Sequence, residues 1–232
     1  VFLVNDAEQL EETVRSAFEL ARTGRPGPVV VDIPKDVQNW EGAFKGQGVL
    51  PLHGYRRRLA AVTENKLSDE ACERFYTMLS ESEKPLIYAG GGVINANATK
   101  AMRRFANEYG IPVTTTLMAL GASDTKHPLA MHMLGMHGVA SANYAVEDCD
   151  FLIAVGARFD DRVAGNPGLF APRAKNIAQF DVDSAEIGKV KRVNWHHVGM
   201  LQNDLEDILE YGRRIKFKKS FDEWHEDIAE LK

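Results

Sequence analysis

Two five-residue runs, Pro85-Leu-Ile-Tyr-Ala89 and Phe151-Leu-Ile-Ala-Val155, carry no charged side chain, and each is followed at once by glycine. A strand with one face in water alternates apolar and polar residues, whereas a run that is apolar at every position has both faces covered. Such runs have strand length and fall far short of the roughly 20 residues that span a bilayer. They therefore point to a covered sheet and away from a membrane protein. Between them, apolar residues recur at helical spacing. Ser68 is placed to cap a helix carrying Ala71, Phe75, Met78 and Leu79, and Gly110 stops another that presents Ala98, Ala101, Met102, Phe105, Ala106 and Tyr109 on one face. Further strands are expected at 111–115, 177–182 and 197–200, with a closing helix at 204–211. Helices alternating with continuous apolar strands predict an α/β fold, Rossmann-like, with a doubly wound, mostly parallel sheet and helices on both faces. Ligands of such a fold bind at the carboxyl ends of its strands.

The two ends of the chain read differently. Leu10, Val14, Phe18, Leu20 and Ala21 describe a helix over 6–23 with Asp6 as N-cap; Gly24, Pro26 and Pro28 end it, and a strand at 29–33 follows, closed by Pro34. Residues 39–66 have no sustained period and contain Gly42, Gly46, Gly48, Pro51, Gly54 and the run Arg56-Arg57-Arg58, which predicts a linker with a solvated charge run. From 212 to 232 a basic stretch leads to a short amphipathic end with Phe221, Trp224, Ile228 and Leu231, read as a linker toward another domain. The chain of 232 residues is 44% hydrophobic, enough for a full core, and its net charge of -5 has no long block of one sign. Nucleic acid and membrane are therefore not expected partners, and a small-molecule ligand is. Cys72 and Cys149 lack zinc-site or disulfide spacing and no secretory leader opens the chain, which fits a cytoplasmic or organelle interior. The first residue is Val1 rather than Met, and the sequence reads as a piece of a longer polypeptide.

Three loops behind expected strands could carry binding chemistry. Gly90, Gly91 and Gly92 join a strand to a helix, where glycines either turn the chain or let the backbone approach a pyrophosphate. The motif is not G-x-G-x-x-G, and the next strand ends in Thr114-Thr115-Thr116 instead of the acid that takes a ribose hydroxyl, so an NAD site of the usual kind is disfavoured. Gly156, Ala157, Arg158, Phe159, Asp160, Asp161 and Arg162 follow the second apolar run; arginine forks fit phosphate oxygens, and a structural ion-pair cluster is the alternative. Asp181, Val182, Asp183, Glu186, Ile187 and Gly188 follow a further strand, with acids suited to ribose or ribityl hydroxyls or to capping a helix. Leu117, Met118, Leu134, Gly135, Met136 and His137 bring apolar and thioether groups to loops, where they could line a flat aromatic ring or fill core. His127, His132 and His137, five apart, fall on different faces of any helix, and no metal site is expected. No nucleophile elbow, Walker loop or H-E-x-x-H helix is present, so the chain shows binding apparatus without catalytic residues.

Taken in order, Gly24-Arg-Pro-Gly-Pro-Val-Val-Val-Asp-Ile-Pro-Lys-Asp-Val-Gln38, the glycine triplet, 117–121, 134–138, 156–165 and 181–189 closely resemble the thiamine diphosphate-dependent acetohydroxyacid (acetolactate) synthases over roughly residues 1–210. The resemblance implies that 1–38 is the tail of a pyrimidine-binding domain, 39–66 a linker, 67–211 the central FAD-binding domain and 212–232 a linker toward a C-terminal domain. It implies a structural FAD. Arg25 would reach the cofactor, Gly90–Gly92 and Gly156–Arg158 would lie at its diphosphate-sugar region with Asp160 and Arg162, and 181–188 at its adenosine end. Thr116, Leu117, Met118 and 134–137 would lie toward the isoalloxazine. Thiamine diphosphate and Mg2+ would belong mainly to the other domains, and the parent would be a homo-oligomer with a small regulatory subunit, condensing two pyruvates, or pyruvate and 2-oxobutyrate, with loss of CO2 in branched-chain amino acid biosynthesis. This chain alone would be inactive. Glyoxylate carboligase, a pyruvate oxidase-like protein and a non-enzymatic nucleotide-binding module are the competing readings.

Overall fold

The computed structural model describes residues 1–43 and 55–232, in two compact units, Val1–Thr63 and Glu64–Lys232. The first unit opens with strand β1 (Phe2–Leu3) and helix α1 (Leu10–Arg22), and continues with strand β2 (Val31–Asp32) and helices α2 (Lys35–Gln38) and α3 (Tyr55–Glu64), the last ending across the unit boundary. The Asp6 carboxylate accepts from the Glu8 N–H at 2.9 Å, capping a short 3-10 turn (Ala7–Gln9) that leads into α1. β1 and β2 pair in parallel. A two-stranded sheet with one long helix buries little, and Leu3, Phe18 and Val30 are more than half exposed.

Where the sequence reading places a linker, Tyr55–Glu64 is a helix. Its arginines, Leu59, Ala60 and Ala61 are strong helix formers, a propensity that outweighs the missing apolar period. Gly46, Gly48, Pro51 and Gly54 lie outside the described residues.

The second unit contains helix α4 (Asp69–Glu81), strand β3 (Pro85–Ala89), helices α5 (Gly91–Asn95) and α6 (Thr99–Tyr109), strands β4 (Val113–Thr115) and β5 (Ala130–Met133), helix α7 (Ala140–Asp148), strand β6 (Phe151–Val155), helix α8 (Asp161–Ala164), strands β7 (Asn176–Asp181) and β8 (Trp195–Val198), and helices α9 (Leu201–Arg214) and α10 (Asp222–Glu230). Ser68 caps α4 through its hydroxyl, and Gly110, at φ 64°, closes α6 in the left-handed conformation. All strand pairs are parallel, in the order β5-β4-β3-β6-β7-β8. Every residue of β3 and β6 is buried, as their unbroken apolar character requires.

Phe75 centres the core, its ring within 5.4–6.0 Å of Tyr76, Phe105, Phe151, Phe180 and Trp195. The C-terminal stretch read as a linker is part of this core. Phe221, Trp224 and Ile228 are buried, the Trp224 indole N–H donates to the Pro85 carbonyl at 2.9 Å, and Lys84 pairs with Asp227 at 2.5 Å. The sequence reading named Phe221, Trp224, Ile228 and Leu231 as an amphipathic end but placed them in a linker; their spacing is helical and their apolar face joins the core.

Candidate cofactor site

Counted from β3, the strand order is 3-2-1-4-5-6, so the winding reverses between β3 and β6, the crevice where this class of sheet takes its ligands. The loops behind those two strands are welded together. The Gly90 N–H donates to the Val155 carbonyl at 2.9 Å and the Gly92 N–H to the Gly156 carbonyl at 3.0 Å. A Cβ on Gly90 would stand 2.2 Å from the Gly156 oxygen, and one on Gly92 2.7 Å from the Gly156 Cα. Two of the triplet's three donors are thus committed to a backbone seam, and glycine is required there by the opposing loop. Gly91 packs over Met118, whose Cβ would lie 2.9 Å from an added Gly91 Cβ.

On the β4–β5 side the loops are held by backbone and end in exposed apolar side chains. Thr116 N–H bonds the Ala89 carbonyl, Leu134 N–H bonds the Thr115 carbonyl, and Met136 N–H reaches across to the Arg162 carbonyl at 3.0 Å. A bulge between Val113 and Thr114 pairs Thr114 with His132, which sits at φ 61° and re-aims the end of β5. Asn143 clamps Gly135 from both sides, accepting from its N–H at 2.8 Å and donating to its carbonyl at 3.1 Å. The result leaves Leu117 67%, Met118 74% and Met136 64% exposed, with His137 beside them, while Leu134 and Gly135 are buried. Beneath this crest the Thr116 hydroxyl is buried without a hydrogen-bond partner.

The β6–β7 side is polar. Phe159 takes φ 58°, a conformation costing an L-residue roughly 1–2 kcal/mol, and is held there by burial against Tyr88 and Phe170. The turn leaves Arg158 and Arg162 exposed on the surface; Arg162 has only a 3.8 Å approach to exposed Asp161. Asp160 caps α8 through the Arg162 N–H, and Asp183 caps a 3-10 turn through the Ala185 N–H. Asp181, buried, accepts from the Asp183 N–H at 3.0 Å, and buried Glu186 pairs with Lys189 at 3.0 Å. Burial, with Asp160 nearby, pushes the Tyr88 hydroxyl above its ordinary range.

At the outer edge, His197 Nε2 lies 3.3 Å from Asp204 and 3.2 Å from the Asn65 carbonyl, and the Asn65 amide donates to the Val198 carbonyl. Burial opposes charging His197, but Asp204 and the Asn65 carbonyl raise its pKa overall; burial raises that of Asp204, offset only in part by His197.

The structure thus assembles 90–92, 116–118, 134–137, 156–162 and 181–188 along one edge of the second unit. Val182 and Ile187 are half-buried there, and Gly188 takes φ 63°. Arg25 is exposed on the turn after α1 in the first unit. Gln179, Asn143 and Phe159 brace the edge; Phe159 was named from sequence only as part of its loop, and Gln179 and Asn143 were not, a lone glutamine inside an apolar strand being the one visible signal. Among the described residues, no three His, Cys, Asp or Glu side chains could hold a metal, and no helix is long and apolar enough to cross a membrane.

This strand order and its glycine seam define a doubly wound α/β domain of Rossmann-like type. The pattern described as "Thiamine pyrophosphate enzyme, central domain" matches residues 72–208, and the chain belongs to that family. It is 44% identical, over its full length, to the probable acetolactate synthase large subunit of Methanocaldococcus jannaschii, of which it covers 38%. It is 41% identical over 99% of its length to acetolactate synthase isozyme 1 large subunit of Escherichia coli, covering 38%, and 42% identical throughout to chloroplastic acetolactate synthase 1 of Nicotiana tabacum, covering 34%. The chain thus spans a little over a third of the length of these relatives.

Proposed function

We propose that the second unit is the FAD-holding central domain of an acetolactate synthase large subunit. The observation that carries the reading is the exposed apolar crest of Leu117, Met118 and Met136 set beside the glycine seam and the exposed Arg158 and Arg162. An apolar crest of this kind suits a flat aromatic ring, with methionine sulfur favourable on its face, and arginine forks suit a diphosphate. The unpartnered Thr116 hydroxyl beneath the crest fits a polar atom of the ligand. Similarity over nearly the whole chain to proteins named acetolactate synthase favours that enzyme over glyoxylate carboligase or pyruvate oxidase.

Bound there, FAD supplies a rigid planar body rather than electrons for the net reaction. Leu117, Met118 and Met136 would exclude water from its ring, Arg158 and Arg162 would neutralise its diphosphate, and 181–188 would take its adenosine end. Thiamine diphosphate and Mg2+ fall to other parts of the parent, which joins two pyruvates, or pyruvate and 2-oxobutyrate, with release of CO2 in branched-chain amino acid biosynthesis. The parent is a cytoplasmic homo-oligomer with a small regulatory subunit. The two free, buried cysteines, with Cys72 pushed up to about 11 chiefly by burial, are compatible with a reducing compartment.

FAD titration of the full-length protein, followed by flavin fluorescence, tests the site. Arg158→Ala and Arg162→Ala are each expected to weaken affinity about tenfold or more, the worth of one charge-assisted hydrogen bond, with the apo melting temperature unchanged. Equal melting losses in apo and loaded protein, at unchanged affinity, would reveal a structural ion-pair cluster and sink the reading.

A further inference from the structure

Strand β7 carries one side chain that neither the fold class nor the apolar core calls for. Gln179 is completely buried, and its amide is spent on two loops. Its Oε1 accepts from the Gly188 N–H at 3.1 Å, while its Nε2 donates to the Glu186 carbonyl at 3.2 Å and makes a long contact of 3.5 Å to the Ala157 carbonyl. The orientation is unambiguous on chemical grounds. A flipped amide would set NH2 against the Gly188 N–H and its oxygen against two carbonyls. Ala157 belongs to the loop after β6, and Glu186 and Gly188 to the loop after β7.

We propose that Gln179 is a positioning residue that fixes the spacing between these two loops, so that a ligand spanning both finds them already set. The inference rests on the flavin dinucleotide reading given above and names a residue outside the ligand's contact shell. Its physical basis is the asymmetry of buried hydrogen bonds. An apolar side chain of equal volume leaves the Gly188 N–H without its partner and the Glu186 carbonyl with only the long 3.4 Å bond from the Lys189 N–H, at a cost above the net worth of a hydrogen bond made in water. The cheapest relief is for the 181–188 loop to move outward to solvent, away from the 156–162 loop. A ligand that touches both loops then has to pull them together on binding, whereas a shorter ligand does not.

The test uses the full-length protein with Gln179→Met and Gln179→Glu, titrated with FAD and with FMN, which lacks the adenosine end. Gln179→Met is expected to weaken FAD about tenfold or more while changing FMN affinity less than about threefold. Gln179→Glu keeps an acceptor for Gly188 but, when ionised, sets a carboxylate against two carbonyls, so its FAD affinity is expected to fall further at pH 8 than at pH 6. Gln179→Met that binds FAD within about twofold of wild type overturns the inference and leaves the flavin reading standing. Equal losses for FAD and FMN overturn it as well, since they mark a general loss of structure. Wild type that binds no FAD overturns both. Should neither variant fold, amide exchange in wild type decides: Gly188, an exposed residue bonded to a buried amide, is expected to exchange slowly, and exchange at open-loop rates overturns the inference.

Discussion

The two sides of the switch point solve the same problem in opposite ways. Behind β4 and β5, the backbone is tied down by its own hydrogen bonds and by Asn143, and the side chains at the tips are apolar and solvent-facing. Behind β6 and β7, Asp160, Asp183 and Glu186 cap turns or pair with Lys189, and Arg158, Arg162 and Asp161 reach out into solvent. An exposed apolar crest with nothing over it is costly in water, whereas exposed arginines are not. The contrast teaches that a ligand filling the whole edge would be apolar at one end and anionic or polar at the other, which suits the flavin dinucleotide proposed above better than a sugar phosphate alone.

The largest effect is expected where the two sides meet. Gly90→Val would drive a Cβ to 2.2 Å from the Gly156 oxygen, against backbone that has nowhere to go. It should cost at least about 3 kcal/mol, read as a shift in the denaturation midpoint. Gly188→Ala on the polar side meets no atom within 4 Å and pays only for φ 63°, so about 1–2 kcal/mol is expected. Comparable losses at the two positions would mean that the seam is not the tight point of the fold. Of intermediate size, Met118→Ala combined with Met136→Ala is expected to weaken FMN about tenfold by removing apolar contact, with ADP affinity unchanged by isothermal titration. If ADP weakens equally, the apolar and polar sides do not divide the ligand between them.

The smallest effect concerns the clasp at the outer edge of the polar side. The folded His197 pKa is raised above its ordinary value, so its protonation favours the fold. That stabilisation is complete below about pH 6.5, the unfolded value, and is lost as pH rises through the higher folded value. The raised Asp204 carboxyl has the same sign, but its contribution begins to fall from about pH 3.9, the unfolded carboxyl value. Melting temperature is therefore expected to decline across this window in wild type and to lose that slope in His197→Gln. An unchanged slope in the variant would assign the pH dependence to other groups.

The fold was legible because its strands are extreme. Apolar runs flanked by glycine admit few arrangements, and both central strands and the helices capped at Ser68 and Gly110 were placed from them. Short elements escaped. β5 is four residues interrupted by a bulge, α7 has small apolar residues without a marked face, and α10 was read as the amphipathic end of a linker. In the site, the loops were found but the reason for the glycines was not. Sequence shows that a residue lacks a Cβ, and only the approach of Gly156 shows what would fill the space. Gln179 and Asn143 could not be assigned to the site from sequence because their partners are backbone atoms of neighbouring loops, which have no side-chain signature.

The seam also has a kinetic consequence. It joins residues 90 and 92 to residues 155 and 156 through backbone alone, so no local stretch of chain can form it, and the entropy of closing the intervening loop must be met before either bond rewards it. Helices α4 and α6 can form early from their own sequence, but the ligand edge comes into existence only when the two halves of the sheet dock. A ligand held at this edge would therefore not nucleate folding; it would capture molecules that have already completed it.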